Sequence, residues 1–321
     1  MDHELTRREF LAGAAAAGLG VSAAGAAAES EGTFKTTLHK ALIMGRISEK
    51  QCAAFQEAGF EGIECGASSA KPDDAEAARK VAEKFGLKIH SVLRGWTNVN
   101  KPASFDKDVA SVETALKAAQ AYGAGAILWV PCRIGGTMPE AWEYDYEFDA
   151  GTARVTRVAK GDNSPYADYI KAHNVATDAS RKALEKLIPA AEKAGVVIGL
   201  ENVWNNLWVK PDLFAALIRS LGSKWVQAYF DIGNHVKYAP PEQWIRALGK
   251  TIAKVHVKDF KLNPDGHGGR FVNIRDGSVN WPSVRKELDK VGYDGWMTIE
   301  GSGRLSLQER SRRLDLILAG K

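Results

Sequence analysis

The chain has 321 residues, of which 45% are hydrophobic and 26% are charged, and its formal net charge is +4. This balance excludes an intrinsically disordered chain and is sufficient to bury a large core. Basic residues alternate with acidic ones along the predicted helices, as in residues 181–186, so no nucleic-acid partner is expected. The three cysteines, Cys52, Cys65 and Cys132, are an odd number in apolar surroundings, which predicts buried thiols and no disulfide framework.

The first 28 residues have the pattern of an export signal. Arg7 and Arg8 precede Phe10 and Leu11, an apolar stretch follows over residues 12–24, and small residues end the segment. We interpret residues 1–28 as a twin-arginine signal peptide and residues 29–321 as a single catalytic domain. The expected partner is the twin-arginine export machinery, and the expected location is periplasmic or otherwise extracytoplasmic. No segment has the roughly 20 apolar residues of a membrane span.

From residue 38 onward, short apolar runs alternate with amphipathic helical stretches, which is typical of a parallel sheet with crossover helices. The predicted strands are His39–Gly45, Gly62–Gly66, Lys88–Leu93, Ala126–Val130, Val196–Asn202, Val226–Ile232, Ala253–Asp259 and Trp296–Glu300. A helix is predicted after each strand. Eight such units predict an α/β fold of the (β/α)₈ TIM-barrel type, and the absence of GxGxxG after the first strand disfavours a dinucleotide-binding sheet.

Local signals support the predicted helices. Ser48 and Asp73 are predicted N-caps, and glycine is predicted to end five helices before an apolar strand begins, at Gly59, Gly86, Gly123, Gly195 and Gly292. Two long loops follow predicted strands, over residues 131–163 and 261–276, and are expected to wall a pocket. The aromatic residues of the first loop are equally consistent with a self-packed loop or an oligomer contact: Trp142, Tyr144, Tyr146 and Phe148.

Four consecutive predicted strands end in potential metal ligands, namely Glu201, Asp231, His256 and Glu300. The C-terminal ends of barrel strands meet at one rim, and unpaired carboxylates would be unfavourable to bury there. A shared cation would remove that penalty. Three carboxylates and one imidazole suit a single divalent ion, with Mn²⁺ as the first expectation and Mg²⁺, Co²⁺, Fe²⁺ or Zn²⁺ as alternatives.

The sequence resembles the xylose-isomerase-like barrels of sugar phosphate isomerases and epimerases, which include ketose 3-epimerases, hydroxypyruvate isomerase and inosose dehydratase. The resemblance spans roughly residues 36–318, and the segments that carry it are Gly59–Glu64, Glu201–Asn202, Asp231–Asn234, Val255–Asp259 and Ile299–Glu300. It implies that Glu201, Asp231, His256 and Glu300 bind the metal. It also implies that Glu201 and Glu300 are the catalytic acid and base, in an order left unassigned.

Two positions depart from the ketose 3-epimerase pattern. Asn234, followed by His235, stands where those enzymes tend to have histidine, and Leu207 stands where they often have glutamate. The substrate is therefore left open. The predicted substrate-binding residues, chosen because they lie near or after the ends of predicted strands at the same rim, are Glu64, Trp96, Asn234, His235, Lys258 and Arg270.

The leading hypothesis is a metal-dependent isomerase or epimerase that removes a proton next to the carbonyl of a keto-sugar or related carbohydrate, through a metal-stabilised enediolate. The alternative with the same first step is a lyase or dehydratase acting on a keto-sugar or keto-glycoside. A non-catalytic sugar-binding protein and an endonuclease-IV-like hydrolase are lesser alternatives. A homo-oligomer is consistent with the family, but no interface is identified.

Overall fold

The computed structural model describes residues 34–321, so the predicted signal peptide lies outside the described residues. Its strands are β1 (Leu38–Met44), β2 (Gly62–Cys65), β3 (Lys88–Trp96), β4 (Ala126–Val130), β5 (Tyr144–Phe148), β6 (Val155–Ala159), β7 (Val197–Glu201), β8 (Val226–Asp231), β9 (Ile252–Val257), β10 (Asp259–Leu262), β11 (Gly269–Val272) and β12 (Gly295–Ile299). Eight of them form a closed parallel barrel in the order β1-β12-β9-β8-β7-β4-β3-β2. The predicted (β/α)₈ barrel is confirmed.

One helix follows each barrel strand before the next barrel strand or the C-terminus. The helices are α1 (Glu49–Glu57), α2 (Pro72–Lys84), α3 (Pro102–Tyr122), α4 (Ala167–Ala194), α5 (Pro211–Arg219), α6 (Pro241–Leu248), α7 (Trp281–Val291) and α8 (Leu307–Leu318). Ser48 caps α1 through its side chain, as predicted. Asp73 is not an N-cap, because α2 already begins at Pro72; the aspartate instead lies in the first turn, where its charge favours the helix N-terminus.

Both long loops contain a β-hairpin that the sequence analysis did not predict. In the first, β5 pairs with β6 antiparallel, and in the second, β10 pairs with β11. The predicted seventh strand is therefore divided, since the barrel strand β9 ends at Val257 and Asp259 begins the hairpin. Asp259 holds this second loop, because its carboxylate accepts backbone N–H groups from Arg275 and Gly277 at 2.9 and 3.0 Å.

The barrel interior contains large polar and aromatic side chains that glycines on neighbouring strands accommodate. Trp296 stacks on His90 with ring centroids 4.7 Å apart, and it occupies the space beside Gly62. A Cβ atom at Gly62 would lie 2.2 Å from the Trp296 ring. Gly199 similarly leaves room for Tyr229, whose ring would be 3.0 Å from an added Cβ. These glycines determine how close the neighbouring strands and rings pack.

All three cysteines are buried free thiols, as predicted. Burial raises the pKa of the Cys132 thiol to about 11. Between residues 34 and 321, no helix combines the length and apolar character needed to cross a bilayer.

Candidate metal centre

The barrel brings the four predicted metal ligands together at its C-terminal rim. They lie at or just beyond the ends of β7, β8, β9 and β12, which are neighbours in the barrel. Asp231 and His256 are register partners across β8 and β9. One ligand atom from each of Glu201, Asp231, His256 and Glu300 lies within 4.8 Å of all the others.

The donor atoms of this cluster are suited to a cation. His256 Nδ1, Asp231 Oδ2 and Glu300 Oε2 are buried and lack a hydrogen-bond partner in suitable geometry among the described residues. His256 Nδ1 lies 2.9 Å from Glu300 Oε2, 3.5 Å from Glu201 Oε1 and 3.8 Å from Asp231 Oδ2. Buried polar atoms nearly always have a hydrogen-bond partner. These three converging atoms lack one, and their arrangement fits a bound divalent ion.

The rest of each carboxylate is held in place by protein groups. Asp231 Oδ1 accepts the backbone N–H groups of Gly233 and Asn234 at 2.8 and 2.7 Å, which leaves Oδ2 directed at the cluster. Asn234 Nδ2 donates to Glu201 Oε1 at 3.2 Å. Asn202, which was not among the predicted site residues, bonds the Asp231 backbone through both its amide atoms. Its position directly after Glu201 was the available signal.

Burial and nearby charges shift the pKa values of Glu201 and Glu300 in opposite directions. Burial raises the pKa of Glu201 to about 7, although His256 acts to lower it. Burial would also raise the pKa of Glu300, but His256 and Lys258 outweigh it and hold that pKa well below the usual range. The Glu300 side chain is also the most open of the four, with 32% of its surface exposed. It is therefore the ligand that solvent or a substrate reaches most easily.

Glu64 lies behind His256. It is 0% exposed, and its Oε2 lies 2.6 Å from His256 Nε2. The structure therefore places Glu64 against His256, and its contact with a substrate stays a prediction. A carboxylate that accepts the Nε2 proton leaves Nδ1 free as a ligand and fixes the ring orientation. Tyr229, also missed from the sequence, packs its ring edge-on to His256 at 4.7 Å.

Lys258 belongs to the cluster. Its Nζ lies 2.8 Å from Glu300 Oε2, 3.2 Å from Asp231 Oδ2 and 3.0 Å from Asn234 Oδ1. Burial acts to lower the pKa of Lys258. The carboxylates of Asp231 and Glu300 together have the larger effect and raise this pKa above the usual range.

The structure places the remaining predicted substrate-binding residues in different environments. Trp96 ends β3 with 43% of its surface exposed, and the Arg133 guanidinium lies 4.4 Å from its ring centre. His235 is buried, and its Nε2 lies 2.9 Å from the Val203 carbonyl. Arg270 lies exposed on β11, and no contact joins it to the four ligands in the described part of the chain.

The two hairpins contact each other beside the rim. Trp142 precedes β5 and stacks on His267 of the β10–β11 turn, with ring centroids 3.7 Å apart. Tyr144 packs against Tyr238, and the Tyr146 hydroxyl lies 2.9 Å from that of Tyr169. These tyrosines therefore pack within the chain, while Trp142 keeps 48% of its surface exposed.

A cavity of about 580 Å³ lies at the opposite end of the barrel, where it is lined by residues such as Gln227, Lys254 and Asp294. None of the predicted site residues lines it. Because active sites of this fold occupy the C-terminal face, the rim that carries the four predicted ligands is the candidate site.

The family model described as xylose isomerase-like TIM barrel matches residues 52–315. The chain belongs to this family. The matched region contains all four cluster residues, and the family expected from the sequence is confirmed.

Individual relatives are more distant. An uncharacterised protein of Methanocaldococcus jannaschii is 29% identical over 143 residues, so the chain matches only 45% of that protein's length and 43% of its own. A solved D-tagatose 3-epimerase-like protein has a TM-score of 0.65 at 19% identity, covering 87% of this chain and 97% of that one. A xylose isomerase-like TIM barrel protein from Mycobacterium smegmatis, solved in complex with magnesium, has a TM-score of 0.59 at 18% identity, covering 91% and 97%. These structural likenesses show the shared fold.

Proposed function

We propose that the chain is a divalent-metal-dependent enzyme that isomerises or epimerises a keto-sugar or related carbohydrate by moving a proton next to the carbonyl. One observation carries this proposal: Glu201 and Glu300 reach the same buried cluster from β7 and β12, which β8 and β9 separate in the barrel. Two carboxylates that approach one point from different strands are placed to remove a proton and to return one.

Glu201, Asp231, His256 and Glu300 would hold the cation, with Mn²⁺ as the first choice. Four carboxylates, including Glu64, surround one lysine and one imidazole, so a divalent ion would complete the charge balance. When bound, such an ion supplies the positive charge that makes a C–H bond next to a carbonyl more acidic.

The chain's own groups position and transfer the proton. Glu201 and Glu300 exchange it with the substrate carbon. Asn234 orients Glu201 through the 3.2 Å hydrogen bond and also accepts from Lys258. Lys258 keeps Glu300 ionised, and its Nζ also contacts Asp231 and Asn234. Glu64 maintains the His256 ring orientation.

Neighbouring proteins support the substrate class. One structural relative is described as similar to a D-tagatose 3-epimerase, and another was solved with magnesium. We propose a small carbohydrate substrate on this basis and on the polar, carboxylate-rich rim, which suits a hydroxylated ligand.

Proton exchange tests the proposal. The full-length chain, loaded with Mn²⁺, is incubated in deuterated water with a panel of keto-sugars, and deuterium at the carbon next to the carbonyl is followed by NMR. We expect exchange in the wild type and a loss of at least about 100-fold in Glu300→Gln, the general scale of an acid–base contribution.

The matched control is Glu185→Gln, because Glu185 is an exposed acid on the outer helix α4. It should exchange at the wild-type rate. Loss of water or an aglycone as the main product would favour the lyase alternative. No exchange on any sugar, with metal bound, would contradict the proposed isomerase and favour a sugar-binding protein.

We also propose export through the twin-arginine pathway to the periplasm or another extracytoplasmic location, on the pattern of Arg7, Arg8 and the apolar stretch that follows. Replacing both arginines with lysine should keep the protein in the cytoplasmic fraction. Equal export of the wild type and this variant in cell fractionation would contradict the assignment.

A further inference from the structure

Large exposed apolar side chains are concentrated on the rim that carries the metal ligands. Among the described residues the exposed large hydrophobic side chains are Trp96, Trp142, Val175 and Phe271. The three aromatic ones lie at the end of β3, before β5 and on β11, all in segments beyond barrel strands on the C-terminal side. Val175 alone lies on an outer helix. An exposed aromatic set beside a polar site is typical of a ligand-binding surface.

Phe271 lies near the predicted metal ligands through its contact with Lys258. Its ring centre lies 5.3 Å from Lys258 Nζ, and that nitrogen lies 2.8 Å from Glu300 Oε2. Together, the distances of 5.3 and 2.8 Å place the Phe271 ring centre within about 8 Å of Glu300 Oε2. A ligand at the cluster that extends toward the β10–β11 hairpin therefore meets Phe271.

The Phe271 ring is held firmly although 42% of the residue is exposed. It packs edge-on to Phe260 at 5.2 Å and tilted against Trp204 at 5.0 Å. Trp204 is fixed in turn by a hydrogen bond to the Asn234 carbonyl and by Lys237 over its ring. Gly269 permits this packing, because a Cβ there would lie 2.6 Å from the Phe260 ring. A ring fixed before binding loses little conformational entropy when a ligand stacks on it.

We infer that Phe271, supported by Phe260 and Trp204, is a stacking surface for a sugar ring linked to the reacting sugar, so that the substrate class is a keto-glycoside. This inference rests on the proposed function, since the reacting sugar is placed at Glu201 and Glu300. The carboxylates and Lys258 suit the hydroxyl and carbonyl oxygens of the reacting unit. The exposed part of Phe271 suits the apolar C–H groups of a second ring, which those polar groups would not bind.

Two measurements test the inference, and each can give a negative result while the other is positive. Binding of cellobiose, an unreactive disaccharide, is followed by saturation-transfer NMR on the metal-loaded full chain. Deuterium exchange is then compared between 3-ketoglucose and 3-ketocellobiose. We expect kcat/KM to favour the disaccharide in the wild type, and Phe271→Leu to reduce that preference about tenfold, the scale of one stacking contact. Phe271→Trp should retain it.

Val175→Ala is the control, because Val175 is also an exposed hydrophobic residue but lies on α4. It should leave both the preference and cellobiose binding unchanged. Equal kcat/KM for the two substrates, or an unchanged preference in Phe271→Leu, would overturn the inference while the proposed function stands. Absent exchange on both substrates would count against the proposed function, and cellobiose binding that depends on Phe271 would still support the stacking surface. A different result would assign this surface to a second copy of the chain and overturn the inference. In that case Phe271→Leu would leave cellobiose binding unchanged, and sedimentation would show that the variant has lost a dimer formed by the wild type.

Discussion

At the residue scale, the contact between Glu64 and His256 determines how the imidazole faces the other ligands. Glu64→Gln keeps the shape of the side chain but replaces the carboxylate with a neutral acceptor at the 2.6 Å contact. We expect metal affinity to fall about tenfold, within the general range for such supporting groups. A chelator competition titration measures this change.

The control is Glu61→Gln, since Glu61 lies three residues earlier on the chain and pairs with the exposed His39. Its metal affinity should equal that of the wild type. An unchanged affinity in Glu64→Gln, with an unchanged melting curve, would show that Glu64 does not support the metal ligand.

Glu201 gives the metal site a pH dependence. Burial raises its pKa to about 7 in the metal-free chain, so a proton occupies the carboxylate increasingly as the pH falls below 7. Because a carboxylate ligand must be deprotonated, metal affinity should be highest above pH 7 and decline by up to about tenfold per pH unit below it. Titrations between pH 5.5 and 8.5 measure this, and a constant affinity from pH 7.5 to 6 would contradict a raised pKa for Glu201.

The four cluster residues could be predicted from the sequence because each occupies the same place in its unit, at the end of an apolar strand. The role of Glu64 could not be predicted this way. Glu64 also ends a strand, and only barrel closure shows that its carboxylate meets His256, 192 positions away. The burial of His235 was not predicted, because the chain turns after Asp231 and packs that ring against Tyr238 and Trp244.

At the element scale, the eight barrel strands were predictable because buried parallel strands are short, continuous apolar runs. The hairpins were not, since β5 and β11 are rich in charged and aromatic residues and are exposed on at least one face. Their pairing depends on contacts beyond each strand, such as the Asp259 carboxylate under the second hairpin. Pro72 similarly displaced the predicted cap of α2 by fixing an earlier helix start.

The packing of β2 against β12 gives a stability prediction. Gly62→Ala places a methyl group 2.2 Å from the Trp296 ring, which must move from its stack on His90. We expect a loss of about 1–3 kcal/mol in the free energy of unfolding, as for other overpacked cores. Chemical denaturation measures it. Gly125→Ala is the matched control, because no atom lies within 4 Å of a Cβ at that strand start, and equal stability losses would contradict the packing account.

At the scale of the whole molecule, buried neutral histidines should limit stability in acid. Burial lowers the pKa of His173 to about 3, and its Nε2 accepts the backbone N–H of Trp208 at 3.3 Å. The unfolded chain takes up the proton near pH 6.5. The stabilisation is therefore complete above about pH 6.5 and is lost as the pH falls toward 3, by up to about 1.4 kcal/mol per pH unit.

His173→Gln isolates this contribution. In metal-free protein, the slope of unfolding free energy against pH between 5.5 and 4.5 should be smaller in the variant by about 1.4 kcal/mol per pH unit. His39→Gln is the control, because His39 is partly exposed and pairs with Glu61. Parallel slopes for the wild type and His173→Gln would show that His173 is not held neutral by the fold.

The central claim is that four strand ends hold one divalent cation, and metal stoichiometry tests it most directly. The full-length wild type and the Glu201→Gln/Glu300→Gln variant are loaded with Mn²⁺, freed of excess metal and measured by elemental analysis. The account predicts one equivalent of metal per wild-type chain and loss of that equivalent in the folded double variant. A wild-type chain that retains no Mn²⁺, Mg²⁺, Co²⁺, Fe²⁺ or Zn²⁺, or a double variant that binds as well as the wild type, would contradict it.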